Sequence, residues 1–278
     1  MYWSSYAATI RVAVSNAGRI RRAFKSVLHG DEIARQWVES HPTGGSISPQ
    51  MARDWARIHI SVSQKPLQNA LARLYAEGYV TGDYAAESRL ARLIGLRKAP
   101  TVNAGVVDWS KWKPGNRAAA LLVKPKGGLR SLLDRERIVV ADTILDTKLD
   151  RIGTALAKGL EEGWTPNKIA QMIDTVIDDP QHALVIAQTE MSRAVSVATR
   201  DRYETAGIGQ VEWLVAEGCD VCQENADVGP IDIGDTFPSG DSEPPAHPNC
   251  MCALAPYYSP DDPNDSGELG DIQIDIEF

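Results

Sequence analysis

The residues best equipped for chemistry lie near one end of the chain. Cys219-Asp-Val-Cys222 is followed, after 24 residues, by His247-Pro-Asn-Cys250-Met-Cys252. These segments hold all four cysteines and one of the five histidines. A CxxC turn presents two thiolates to one tetrahedral ion, and a later His/Cys cluster can close the coordination. Structural zinc takes four N or S ligands. Cys219 and Cys222 form the firmer pair, and Cys250 is the third ligand. His247, three residues before it on a proline-containing loop, is the preferred fourth. Cys252 shares a face with Cys250 and is the alternative. A closed set leaves no position for an activated water, so the expected zinc is structural. It would staple a loop-rich module with little core of its own. A pair of disulfides and unligated buried thiols are the competing readings.

Other chemistry is sparse. A zinc deaminase needs His-x-Glu ahead of Pro-Cys-x-x-Cys. Here Gly218 precedes Cys219, and no His-x-Glu occurs. His-Glu-x-x-His, GxxxxGK[ST], GxGxxG and GxSxG are also missing from the sequence. His29, His41, His59 and His182 have no evident Ser or Cys partner. Thr189-Glu190 sits in a helical pattern, where a Glu facing the cysteine module could join it to the helices.

The elements that must position these residues read as helices first. Apolar residues at Ile10, Val14, Ala17, Ile20, Phe24 and Leu28 form one helical stripe over Ala7–Leu28. Arg11, Arg19, Arg21, Arg22 and Lys25 make that helix basic; Arg19, Arg21, Arg22 and Lys25 are the candidate nucleic-acid contacts. His41–Pro49 reads as a linker, with Ser48 capping a helix and Pro49 at its first position. Helical patterns cover about Met51–Glu77 and Tyr84–Leu96. Ala104–Arg130 is less regular; its Trp109 and Trp112 read as packing residues ahead of base-stacking ones. Arg135–Leu160 is helical. Thr165-Pro166 starts another helix, with Trp164 stapled onto Ile169. Asp179-Pro180 opens one to about Ala206. After Gly207 the pattern changes: Gln210–Ala216 and Cys252–Tyr258 read as strands, with turns and loops between. Ile272-Gln-Ile-Asp-Ile-Glu-Phe278 alternates strictly, a strand pattern seeking an edge.

Charge divides the chain. Residues 1–206 carry all 29 Lys and Arg against 21 acids, giving +8; residues 207–278 carry 16 acids and no Lys or Arg, giving -16. A basic body beside an acidic end suggests different partners, a polyanion such as DNA for the first. No apolar stretch reaches the roughly 20 residues that span a bilayer, and Met1–Phe24 has no signal-peptide pattern. Cytosolic synthesis and no membrane partner are expected. There clustered cysteines are more often metal ligands than disulfides. The expected fold is mainly α: an elongated helical body, a small α+β metal-stapled C-terminal module and an acidic tail. The expected divisions are 1–45, a basic amphipathic helical region; 46–104, helical; 105–207, a helical core; 208–258, the Cys/His-rich module; and 259–278, the acidic tail.

Several segments together resemble one family. Asp108-Trp-Ser-Lys-Trp-Lys-Pro-Gly115, Ile186-Ala-Gln-Thr-Glu190, Val211-Glu-Trp213, Cys219-x-x-Cys222, Gly229-Pro230 and Pro244-Pro-Ala-His-Pro-Asn-Cys-Met-Cys252 resemble phage Mu F-like minor head proteins. The likeness covers about residues 105–258. Its most specific part is Pro-Pro-x-His-Pro-Asn-Cys-x-Cys. Members often show Arg where Gln188 stands and a basic residue where Met251 stands. The resemblance implies a non-enzymatic virion protein of a tailed phage, present in few copies. It would meet the portal or the major capsid protein, serve head assembly and DNA packaging or delivery, and lie near packaged double-stranded DNA without a small-molecule substrate. A DNA-binding virion protein acting through the basic helix, and an enzyme such as a nuclease or ADP-ribosyltransferase, are the other classes considered.

Overall fold

The computed structural model describes residues 2–41, 47–97, 109–216 and 219–257. The acidic tail with its alternating Ile272–Phe278, most of the 41–49 linker and Asp108 lie outside the described residues. The fold is mainly helical, with a small three-stranded antiparallel sheet near the C-terminal end. The helices are α1 (Tyr2–Lys25), α2 (Gly30–Ser40), α3 (Pro49–His59), α4 (Lys65–Arg97), α5 (Gly115–Val123), α6 (Leu129–Ser131), α7 (Arg137–Glu161), α8 (Pro166–Ile177), α9 (Pro180–Thr205) and α10 (Asp220–Asp227). The strands are β1 (Gln210–Leu214), β2 (Ile231–Asp232) and β3 (Ala253–Tyr257).

Local chemistry sets several of the helix ends. The Ser48 hydroxyl accepts the Met51 N–H at 3.2 Å, and Pro49 opens α3. Thr165 does the same for Lys168, with Pro166 next. Asp179 Oδ1 accepts the N–H groups of Gln181 and His182 at 3.0 and 3.1 Å, capping α9. That helix stops at Gly207, whose φ of +73° suits glycine. The Ile208 N–H then reaches back to the Tyr203 carbonyl at 3.0 Å. All three starts match the sequence expectation.

The stretch after α3 differs from it. The expected helix over Met51–Glu77 breaks after His59 and restarts at Lys65. Pro66 disfavours a helical residue before it and suits a first turn. The helix then runs through Gly78 and Gly82, where a gap was expected. A Cβ at Gly78 would stand 2.7 Å from the Ala194 Cβ, and one at Gly82 only 2.3 Å from the Val195 carbonyl oxygen. These glycines let α4 approach α9 closely. Packing overrides their poor helix propensity.

The chain forms two compact units from non-contiguous segments. One comprises residues 15–72 and 133–184. In it α2 packs on α8, α3 on α7, and α7 on α8. Its core is Ile20, Phe24, Trp37, Leu67, Leu71, Ile152 and Ile173, all buried. Trp37 meets Trp55 edge-on at 5.0 Å, and the His59 ring stacks on Trp55 at 4.8 Å. The His41 ring lies 3.9 Å from Trp37. Two of the unassigned histidines are thus packing groups. Trp164 and Ile169 both close over Gly159, as the staple requires.

The other unit comprises residues 1–14, 73–132 and 185–278. It contains the sheet, in the order β2-β1-β3. Trp213 of β1 pairs with Leu254 of β3, and Val211 pairs with both Ile231 and Pro256. Val211 and Trp213 face a core that includes Leu90 of α4, Tyr203 of α9, Phe237, Cys222, Cys250 and Cys252. Arg89 of α4 donates to the Leu254 carbonyl at 3.0 Å, on the edge strand β3. Trp109 is buried, and the Trp112 indole donates to the Thr81 hydroxyl at 2.9 Å. Both tryptophans pack, as the sequence reading favoured.

Candidate metal centre

Three short pieces of chain bring the sulfur atoms together. The first is the start of α10, a helix the sequence reading left as a bare CxxC turn. Cys219 is its N-cap residue, with extended backbone, and its sulfur accepts the Cys222 N–H at 3.5 Å. Cys222, one turn in, is fully buried. The second piece is the His247–Cys250 turn, closed by the Cys250 N–H on the His247 carbonyl at 3.1 Å. Asn249 takes a positive φ of 60° there, which Asn tolerates better than most residues. The third is Cys252, buried one residue before β3.

The donor atoms converge. His247 Nε2 lies 3.2 Å from the sulfurs of both Cys219 and Cys222, and the Cys222 and Cys250 sulfurs are 3.7 Å apart. A tetrahedral zinc with its usual bond lengths sets ligand sulfurs about 3.8 Å apart and sulfur and nitrogen about 3.6 Å apart. His247 Nδ1 is 2.9 Å from the Pro248 carbonyl. A carbonyl only accepts, so Nδ1 carries the proton and Nε2 turns its lone pair toward the two sulfurs. Two groups of mutually close donors result: Cys219, Cys222 and His247, and Cys222, Cys250 and Cys252, all within 4.8 Å inside each group. Cys222 belongs to both. All five sequence-predicted residues are therefore brought together, and the cluster can hold a metal ion.

Electrostatics agrees with the donor chemistry. Burial pushes the Cys222 thiol up to about 12, with Cys252 and Cys219 adding to the rise. Cys252, and then burial, push Cys250 up as well. Cys252 is pulled down to about 5, first by the Cys250 thiol, against the effect of burial, and further by the Ala216 N–H. The Trp213 indole lowers it too, although its buried N–H stands outside regular hydrogen-bond geometry. Three packed thiols thus let one ionise at the expense of the others. A cation among them reverses that competition and favours thiolate throughout. The residues present fit a thiophilic ion.

The loop is held from outside the cluster. The Asn249 N–H donates to the Thr189 hydroxyl at 2.8 Å, and that hydroxyl donates to the Val185 carbonyl at 2.8 Å. From the sequence, Glu190 could make such a link, with an exposed helical Glu the commoner case. Glu190 is instead buried, accepting from the Tyr75 hydroxyl at 2.7 Å and Arg193 at 3.1 Å. Consecutive residues of a helix lie about 100° apart, so only one of the pair can face the loop.

The candidate nucleic-acid residues are largely engaged. Arg21 and Lys25 clamp Asp178 at 2.7 and 3.1 Å, holding that carboxyl below its ordinary range. Arg19 donates to Asn16 at 2.6 Å, while Arg22 is exposed.

One polar cluster escaped sequence reading. Lys148 of α7 is fully buried, donating to the Val176 carbonyl at 2.6 Å, with its ammonium 4.6 Å from the centre of the Phe24 ring. Burial, then the Arg151 cation, lower its pKa from 10.5 to about 8. Its spacing from Ile144 and Ile152 put it on the apolar face, which was the available signal. No helix among the described residues is long and apolar enough to cross a membrane. No family model, curated protein or solved structure matches the chain.

Proposed function

We propose that the protein is a structural, non-enzymatic minor head protein of a tailed bacteriophage, with one zinc ion stapling its C-terminal module. The supporting observation is the His247–Cys252 loop, whose donors meet Cys219 and Cys222 while Asn249 docks on Thr189. The loop carries the most specific part of the likeness to Mu F-like proteins, and the helix it docks on carries another, weaker segment of it. In this reading Cys219, Cys222, His247 and Cys250 hold the ion. When bound, zinc supplies cross-linking rather than a reactive water, because four protein ligands fill its shell. The module then presents a fixed surface to the portal or the capsid interior. The engagement of Arg21 and Lys25 by Asp178 argues against the basic helix as the principal DNA contact.

Elemental mass spectrometry beside a thiol count is the first test. The expected result is one zinc per chain with all four thiols free. Cys219→Ser and Cys250→Ser lose the ion and lower the yield of DNA-filled heads. A metal-free protein with fewer free thiols overturns the staple. Normal head yield from a variant that has lost its ion, or no association with portal-bearing heads, overturns the structural role.

A further inference from the structure

Five donors meet where four suffice, and the fifth has a route to solvent. Cys252 lies within 4.8 Å of both Cys222 and Cys250. It also lines a cavity of about 40 Å³ that is partly open to solvent. The buried hydroxyl residues Ser192, Ser196 and Thr199, one turn apart along α9, line the same cavity together with Arg89. A space that size, largely apolar but with these hydroxyls in its wall, suits a few waters or a molecule as small as hydrogen peroxide.

We propose that Cys252 is a peroxide-sensing thiol that releases the metal, an inference that rests on the zinc staple proposed above. The Cys252 sulfur attacks one oxygen of hydrogen peroxide. An S–O bond forms, the O–O bond breaks, and hydroxide leaves to take up a proton as water. The sulfur is oxidised by two electrons to the sulfenic acid and the peroxide is reduced. The Cys222 sulfur then attacks the Cys252 sulfur. The S–S bond forms, the S–O bond breaks, and a second hydroxide leaves as water. Two thiols and one peroxide become one disulfide and two waters, and the ion loses Cys222 as a ligand. Cys222 is the resolving partner rather than Cys250. Residues two apart in extended chain are about 7 Å apart at Cα, beyond the usual span of a disulfide. Cys222 is also the donor common to both groups, so its loss opens the site from either side.

The test uses the full-length zinc-loaded protein, hydrogen peroxide, a colorimetric zinc chelator and disulfide mapping by mass spectrometry. The expected result is zinc release together with a Cys222–Cys252 bond, both reversed by a thiol reductant with added zinc. Cys252→Ser, compared with the parent after both are loaded to the same zinc content, releases the ion about tenfold more slowly under peroxide. Equal release rates in parent and variant overturn the switch while leaving the staple intact. A bond mapped to Cys219–Cys222 in the parent overturns it even if the variant fails to fold. A parent protein without zinc before treatment overturns the staple, and the switch with it.

Discussion

At the scale of single residues, the most exacting position outside the sulfur cluster is Lys148. Its ammonium donates to the Val176 carbonyl and faces the Phe24 ring, and the side chain is fully buried. Depression of its pKa from 10.5 to about 8 means that the folded state resists the charge. The sign follows. Below about pH 8 both states carry the proton and the full penalty applies; between 8 and 10.5 the unfolded chain binds more protons, so stability rises with pH. Lys148→Met is expected to be more stable than the parent near neutrality, by about 1–3 kcal/mol. It should also lose the gain in stability on alkalinisation. Urea denaturation across that pH window measures both. A variant less stable than the parent, with an unchanged pH slope, contradicts the account. The cysteine cluster was legible in the sequence because ligand types and CxxC spacing are local. The role of Thr189 was not, because its partner Asn249 lies 60 residues away.

At the scale of elements, the crossing of α4 and α9 is the most sterically demanding contact. Gly82→Ala would place a methyl group 2.3 Å from the Val195 carbonyl oxygen, a backbone atom that cannot swing aside. A loss of about 2–4 kcal/mol is expected. Gly18→Ala in α1 meets only the far end of Arg22 at 3.6 Å. It should gain about 0.5–1 kcal/mol from helix propensity. Thermal melts of the two variants should move in opposite directions; a shared direction rejects the steric reading. The same contact explains a limit of sequence reading. Ser48, Thr165 and Asp179 announced their helix starts through caps that act within four residues. Gly78 and Gly82 looked like an interruption, because their reason for being there is a helix more than 100 positions downstream. The helix α10 was missed for a related reason. Eight residues carry little periodicity, and the cap is a cysteine sulfur rather than a hydroxyl.

At the scale of the whole molecule, the two compact units differ in what holds them. The unit of residues 15–72 and 133–184 relies on helix packing around Trp37, Phe24 and Ile152. The other builds Cys222, Cys250 and Cys252 directly into the core beneath its sheet. If the cluster holds the proposed ion, stripping it with a chelator is expected to act unevenly. Hydrogen exchange should accelerate across residues 208–257 and leave α2, α3, α7 and α8 protected. Uniform loss across both units, or none anywhere, would show that the ion has no such local role. The mainly helical class with a small sheet was readable from periodicity and from the change of pattern at Gly207. Which segments assemble together was not, since α2 finds α8 and α3 finds α7 across stretches of sequence that carry no mark of the pairing. One contact in the sheet bears on solubility. Among the described residues β3 is one of two edge strands; its Leu254 carbonyl is occupied by Arg89, and it carries Pro256, which has no N–H to give. A strand edge so blunted is a poor template for a foreign chain, and on this side the sheet is guarded against edge-to-edge aggregation by one arginine and one proline.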